Sequence, residues 1–320
     1  MVAPGPLRIA SRGSALALWQ ARAVEAALRA AAPGTEVEIR VVRTTGDRVT
    51  DVPLARIGDR GLFTKELDER LLAGEAELAV HSLKDVPTRL PDGLVVAAVT
   101  AREDPRDVLI LPPGRSGGLR DLPPGARVGT SSLRRRAQLL RLRPDLEIPD
   151  LRGNLDTRLA KLDRGEYDAI VLAAAGVIRL GWVDRIAHFL DPEDWLPAVG
   201  QGALAIVARA DDEETLARVR ILHDPDTAAC TTAERAFLRA LEGGCQVPIG
   251  ALATREGGEL RLRGMVAALD GSRVLHGSER GDDPEALGRA LADRLLGEGA
   301  GEVLEAIRAP LGGVPQPAAP

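Results

Sequence analysis

A chain of 320 residues is longer than one hydrophobic core commonly serves, so two or three domains with a cleft between them are expected. A net charge of −5 argues against a general nucleic-acid or anionic-membrane binder, and 2% aromatic residues leave little for base stacking. No apolar run reaches the roughly 18 residues that span a bilayer. The N-terminal MVAPGPLRIA also lacks the charged and apolar regions of an export signal, so a cytoplasmic protein is expected.

In chain order, LRIA (7–10) reads as a buried strand, and residues 14–31 as an amphipathic helix capped by Ser14 and stopped at Pro33-Gly34. TEVEIRVVRT alternates Val37, Ile39 and Val41 on one face, a strand pattern. FTKELDERLLAG predicts a helix capped by Thr64, and ELAVHS a further strand. This β-α-β-α-β order predicts a mainly parallel sheet flanked by helices, with ligands gathering at the carboxyl ends of the strands. RDVLIL (106–111), ARVGT, SLRRRAQLLRLR, LEIPDLR, LDTRLAKLDRG and YDAIVLAAAG repeat the alternation as strand, strand, helix, strand, helix and strand. Residues 197–209 form one more apolar run, able to return the chain to the first sheet. A third, smaller α+β domain follows. It holds a helix ending at Gly243-Gly244, a hairpin around Asp270-Gly271 and a long helical pattern over 284–308. The expected domains are 1–102 with 200–222, 106–196, and 224–310, with 311–320 as a frayed tail.

The chemistry-bearing residues collect at strand ends. His81, Lys84 and Asp85 follow an apolar strand, where Asp85 reads either as a solvated turn cap or as a buried, pKa-tuned acid. RVGTSSLRRRAQLL runs through Thr130, Ser131 and Ser132 into a helix whose first turns carry Arg134, Arg135 and Arg136. Hydroxyls, open backbone N–H groups and guanidinium forks make an anion site, and an anion there offsets the cost of cations at a helix N-terminus. DLRGNLDTRLAKL repeats the logic with Arg152 and Arg158, and IASRGSALA does so with Arg12 and Ser14. Three such junctions facing one cleft imply a ligand of many negative charges. No Gly-Lys-Ser/Thr phosphate loop and no dinucleotide-binding glycine pattern occurs, which favours polycarboxylates.

Two cysteines cannot build a disulfide framework, and neither has metal-ligand partners at zinc-like spacing. Cys230 reads as a buried hydrophobe on a helix. The four scattered histidines form no metal motif, so no metal is expected.

The ordered set RIASRGSALALWQA, TTGDR, GLFTKEL, AVHSLKDVPT, REDPRDVL, VGTSSLRRRAQL, LRGN, TRLAKLDRGEYDAIVLAAAG, PAVGQGALAI and GGCQVPIG resembles the hydroxymethylbilane synthase (porphobilinogen deaminase) family from about residue 7 to 250. The resemblance implies two α/β domains like periplasmic binding proteins and a third carrying a cofactor. It also implies an enzyme of tetrapyrrole synthesis that joins four porphobilinogen molecules head to tail, releases ammonia and hydrolyses the product to hydroxymethylbilane. The implied cofactor is a dipyrromethane on a thioether to Cys245. Asp85 is the implied catalytic residue, with Lys84 beside it. Thr130, Ser131, Ser132, Arg134, Arg135 and Arg158 are implied to contact the cofactor together with Lys84 and Asp85. Arg12, Ser14, Arg152, Arg158 and Arg179 are implied to bind acetate and propionate groups. Six rings with two carboxylates each bring about twelve negative charges, in keeping with the three arginine junctions.

Arg60 and Phe63 fall in an implied active-site loop, where Arg60 stands in place of a common lysine. Leu83 replaces a common methionine, and Val207-Ala208 stand where a glutamate is often found. The family expectation is a monomer with porphobilinogen as its small-molecule partner, no nucleic acid and no membrane. A non-catalytic anion-binding protein is the alternative. It predicts an export signal and gives Cys245 no purpose.

Overall fold

The computed structural model describes residues 5–48, 64–241 and 247–308. Its first sheet has the order β2-β1-β3-β9-β4, built from β1 (Leu7–Arg12), β2 (Val37–Val42), β3 (Leu78–Ser82), β4 (Leu94–Val99) and β9 (Leu204–Arg209). Helix α1 (Ala15–Ala31) packs on it through Ala21, Val24 and Leu28 against Leu7, Ile9 and Leu78. Ser14 caps that helix as expected, its hydroxyl accepting from the Ala17 N–H at 3.3 Å. A single turn, α2 (Thr45–Arg48), precedes α3 (Lys65–Leu72), which covers the opposite face.

The second sheet, ordered β6-β7-β5-β8, uses β5 (Asp107–Ile110), β6 (Val128–Gly129), β7 (Ala169–Ala173) and β8 (Ile186–Phe189). Its flanking helices are α4 (Leu133–Leu142), α5 (Leu155–Asp163) and α6 (Ala174–Arg179). The third sheet is an antiparallel ladder of β10 (Ile249–Glu256), β11 (Glu259–Ala267) and β12 (Val274–Gly281). Helices α8 (Pro225–Ala240) and α9 (Pro284–Gly297) pack on it around Phe237 and Leu291.

Two local expectations and one global one are corrected. LEIPDLR forms no strand: only an isolated bridge joins Arg127 to Glu147, because Pro149 interrupts the run and offers no N–H. The 284–308 helix is two helices, α9 and α10 (Ala300–Arg308), broken where Gly299 adopts φ +101°. The α/β layering is as expected, but the parallel pairing is confined to β2-β1-β3 and β6-β7. The returning strand β9 enters between β3 and β4 antiparallel to both, and β5 is antiparallel to both of its neighbours.

Two segments cross between the first and second sheets, 100–106 outward and 190–203 back. They are tied together by Glu103 N–H to the Gly202 carbonyl at 3.1 Å and by Arg102 Nε to the Gln201 carbonyl at 2.8 Å. Helix α7 (Glu213–Val219) closes the first unit before the chain enters α8.

Candidate active site

Asp85 ends a single 3₁₀ turn, Leu83–Asp85, that leaves the carboxyl end of β3. The turn is held from below by the Leu83 N–H on the Ala203 carbonyl at 2.9 Å, and Leu83 fills an apolar cluster with Val86, Val99 and Ala205. From α8, Arg235 donates to the carbonyls of Val86 at 2.9 Å and Pro87 at 2.6 Å. The loop bearing Asp85 is therefore clamped on both sides. Lys84 points its Nζ at Gln201 Oε1, 3.3 Å away. Burial, the largest cause, brings that ammonium down to about 8; Asp85 and Asp107 pull it up, and Arg135 and Arg134 push it down.

The second sheet supplies the arginines. Ser132 caps α4, accepting from the Arg135 N–H at 3.4 Å, while Thr130 Oγ1 accepts from the Ser132 N–H at 3.2 Å. Ser131 bridges to the neighbouring junction, its hydroxyl donating to the Leu151 carbonyl at 3.0 Å and accepting from the Leu151 N–H at 3.1 Å. The anion expected beside Arg134 and Arg135 is present within the chain, and it is Asp107. Fully buried at the start of β5, Asp107 accepts from Arg134 Nη1 at 2.8 Å, Arg135 Nη2 at 2.6 Å and Trp195 Nε1 at 2.8 Å. Desolvation opposes its charge, but the two guanidinium groups prevail and hold its carboxyl far below the usual range. Arg134 is also fixed by the Leu196 carbonyl at 2.8 Å, and Arg135 by that of Val171 at 2.9 Å. Arg136 lies outside this cluster, exposed and bonded to the Ile148 carbonyl.

At the next junction Gly153, with φ +113°, lets the chain turn into α5, and Arg158 Nε donates back to its carbonyl at 2.8 Å. Arg158 is brought down to about 10 by burial, then by Arg135 and Arg152, with Asp85 acting the other way. Asp85 and Lys84 of the first sheet thus share one electrostatic neighbourhood with Arg135 and Arg158 of the second. Arg152 lies beside Arg158. Arg12, at the end of β1, neighbours the buried His81, whose ring is brought down to about 4 by burial and then by the Arg12 charge. Arg179 Nη2 donates to the Gly202 carbonyl at 2.6 Å, and its guanidinium lies 5.6 Å from the Trp19 ring centre, lining a cleft of about 430 Å³ with Trp19, Arg102 and Glu103.

Cys245, Arg60 and Phe63 lie outside the described residues, as does the expected tail. Cys230 is buried in the third core, as expected, and burial pushes its thiol up. No group of three metal-ligating side chains occurs among the described residues, and no helix among them is long and apolar enough to cross a membrane. Sequence reasoning missed Asp107, Gln201 and Arg235. All three stood inside quoted motifs or helices, but their partners lie at least 27 residues away in the chain.

The donor set suits a polycarboxylate cofactor: hydroxyls at 130–132, cations at 84, 134, 135, 152 and 158, and a buried Arg135 Nε with no hydrogen-bond acceptor among the described residues. Residues 7–217 match the family model "Porphobilinogen deaminase, dipyromethane cofactor binding domain", and residues 228–297 match "Porphobilinogen deaminase, C-terminal domain". The chain is 54% identical over 303 residues to the porphobilinogen deaminase of Syntrophobacter fumaroxidans, covering 94% of this chain and 97% of the other. It is 54% identical over 308 residues to that of Moorella thermoacetica, covering 96% and 98%. Among solved structures, the Bordetella pertussis BvgS periplasmic VFT2 domain aligns with a TM-score of 0.42 and 17% identity, over 68% of this chain and 86% of the other. With both parts of the family matched and half the residues shared along nearly the whole length, the chain belongs to the porphobilinogen deaminase family.

Proposed function

We propose that Asp85 is the carboxylate at which this enzyme condenses four porphobilinogen molecules head to tail on a dipyrromethane cofactor linked through a thioether to Cys245. Ammonia leaves at each addition, and the product is hydrolysed to hydroxymethylbilane. The observation that carries the reading is that Asp85, at a strand end of the first sheet, shares its surroundings with Lys84 and with Arg158 of the second.

Loss of ammonia leaves porphobilinogen as a cationic azafulvene, and a fixed carboxylate stabilises that charge where it develops. The same carboxylate then takes the proton released after coupling. Lys84 and Arg158 set two positive charges in the electrostatic neighbourhood of Asp85. Thr130, Ser131, Ser132, Arg134, Arg135, Arg158 and Lys84 hold the cofactor, which supplies the electron-rich pyrrole that is extended. Arg12, Ser14, Arg152, Arg158 and Arg179 receive the acetate and propionate groups of the growing chain. Arg134 and Arg135 act from a fixed frame because Asp107 already orients them.

The proposal includes the division into domains 1–102 with 200–222, 106–196 and 224–310. It also includes a cytoplasmic monomer that takes no nucleic acid, in keeping with a net charge of −5. Asp85→Asn tests the core of the reading: intact mass should show the dipyrrole adduct retained while turnover falls about 10²–10⁴-fold. Near-normal turnover, or active wild-type protein of unmodified mass, sinks it.

A further inference from the structure

Gln201 is fully buried in the segment that returns from the second sheet to the first. Its amide can face only one way. Nε2 donates to the Pro105 carbonyl at 2.7 Å and to Asp107 Oδ1 at 2.9 Å, with the Arg106 carbonyl at 3.2 Å. Oε1 meets the Lys84 ammonium. Reversing the amide would set an NH₂ against an ammonium and an oxygen against three acceptors.

One side chain thereby links the lysine next to Asp85 with the carboxylate that organises Arg134 and Arg135. The charged groups facing Lys84 pull in both directions: Asp85 and Asp107 favour the ammonium, and Arg135 and Arg134 oppose it. A neutral carbonyl oxygen supports the ammonium without adding a further charge to this crowded site.

We propose that Gln201 is a positioning residue for the condensation, holding the Lys84 ammonium beside Asp85 and fixing its place relative to the Arg134–Arg135 pair across the crossing. This rests on the roles given above to Asp85 and Lys84. Only Lys65, Lys84 and Lys161 are lysines, so competitive acetylation of the holoenzyme at a series of pH values, read by peptide mass spectrometry, follows Lys84 with exposed Lys65 as internal reference.

Wild-type Lys84 should titrate below an ordinary lysine, and turnover should fall above its titration point. In Gln201→Met the acceptor is gone. Both the Lys84 titration and the alkaline limb of turnover should move down together by about one pH unit. Gln201→Glu keeps an acceptor toward Lys84 and should hold both at or above their wild-type positions. If Gln201→Met does not give folded holoenzyme, Gln201→Asn, too short to span from Asp107 to Lys84, should show the same downward movement. A Lys84 titration unchanged in the loss variant overturns the inference, and so does a titration that moves without the alkaline limb. Full activity in Asp85→Asn defeats the underlying reading. An inactive Asp85→Asn with Lys84 unmoved in the Gln201 variants defeats this inference alone.

Discussion

His81 and Arg12 follow from the pairing of β1 with β3: continuing the register from Ala10 and Ala79 sets the two side by side. The ring is buried, its Nε2 has no partner among the described residues, and it stays neutral down to about pH 4. An unfolded histidine takes its proton near 6.5, so between these values the unfolded chain binds more protons than the folded one. Stability therefore rises with pH through this window and is lost as pH falls from about 6.5 toward 4. Urea midpoints at pH 7 and pH 5 should fall less in His81→Gln than in wild type; equal losses would show that His81 does not carry the effect. Asp85 and Lys84 were legible because a polar group after an apolar strand lies where such sheets deliver side chains. Asp107 was not, since its position within a short strand says nothing of the two arginines that reach it from α4.

Among the elements, local chemistry announced several starts and stops: Thr64 precedes α3 without a side-chain cap hydrogen bond, Gly243-Gly244 lie outside the described residues, and two other signals held. Ser14 before an apolar-periodic run and Asp270-Gly271 between two strands fix a helix start and a hairpin within a few residues. LEIPDLR and the 284–308 helix went wrong because a proline and a glycine outweighed the surrounding pattern. The crossing ribbon depends on Gly202, whose φ is +96° and whose added Cβ would lie 2.2 Å from the Glu103 carbonyl oxygen. Gly202→Ala should cost at least about 1–2 kcal/mol from the left-handed backbone alone, and more from the clash. A lowered thermal midpoint with reduced turnover is the expected result. A midpoint equal to wild type would mean that the two segments do not approach so closely.

Across the whole molecule, the two crossings and the third sheet meet at Glu234 of α8. Fully buried, it accepts from Arg102 at 2.6 Å, from the Gly200 N–H at 2.7 Å and from the Ala253 N–H at 2.9 Å, touching both crossings and the third sheet. Glu234→Ala should cost about 3–5 kcal/mol, because Arg102 is left largely buried without its counter-charge. Calorimetry should then resolve a separate transition for the third unit; a single transition at the wild-type midpoint would refute the role. That three units exist was readable from the change of periodicity along the chain, but their junction was not, since it is made by contacts up to 132 residues apart. The place of β9 has a further consequence during synthesis. β4 joins its sheet only through β9, which is translated about 100 residues later, whereas the second sheet is complete by residue 189. On the ribosome the middle of the chain can close while the beginning still waits with an open edge at β3, so this protein matures from its centre outward.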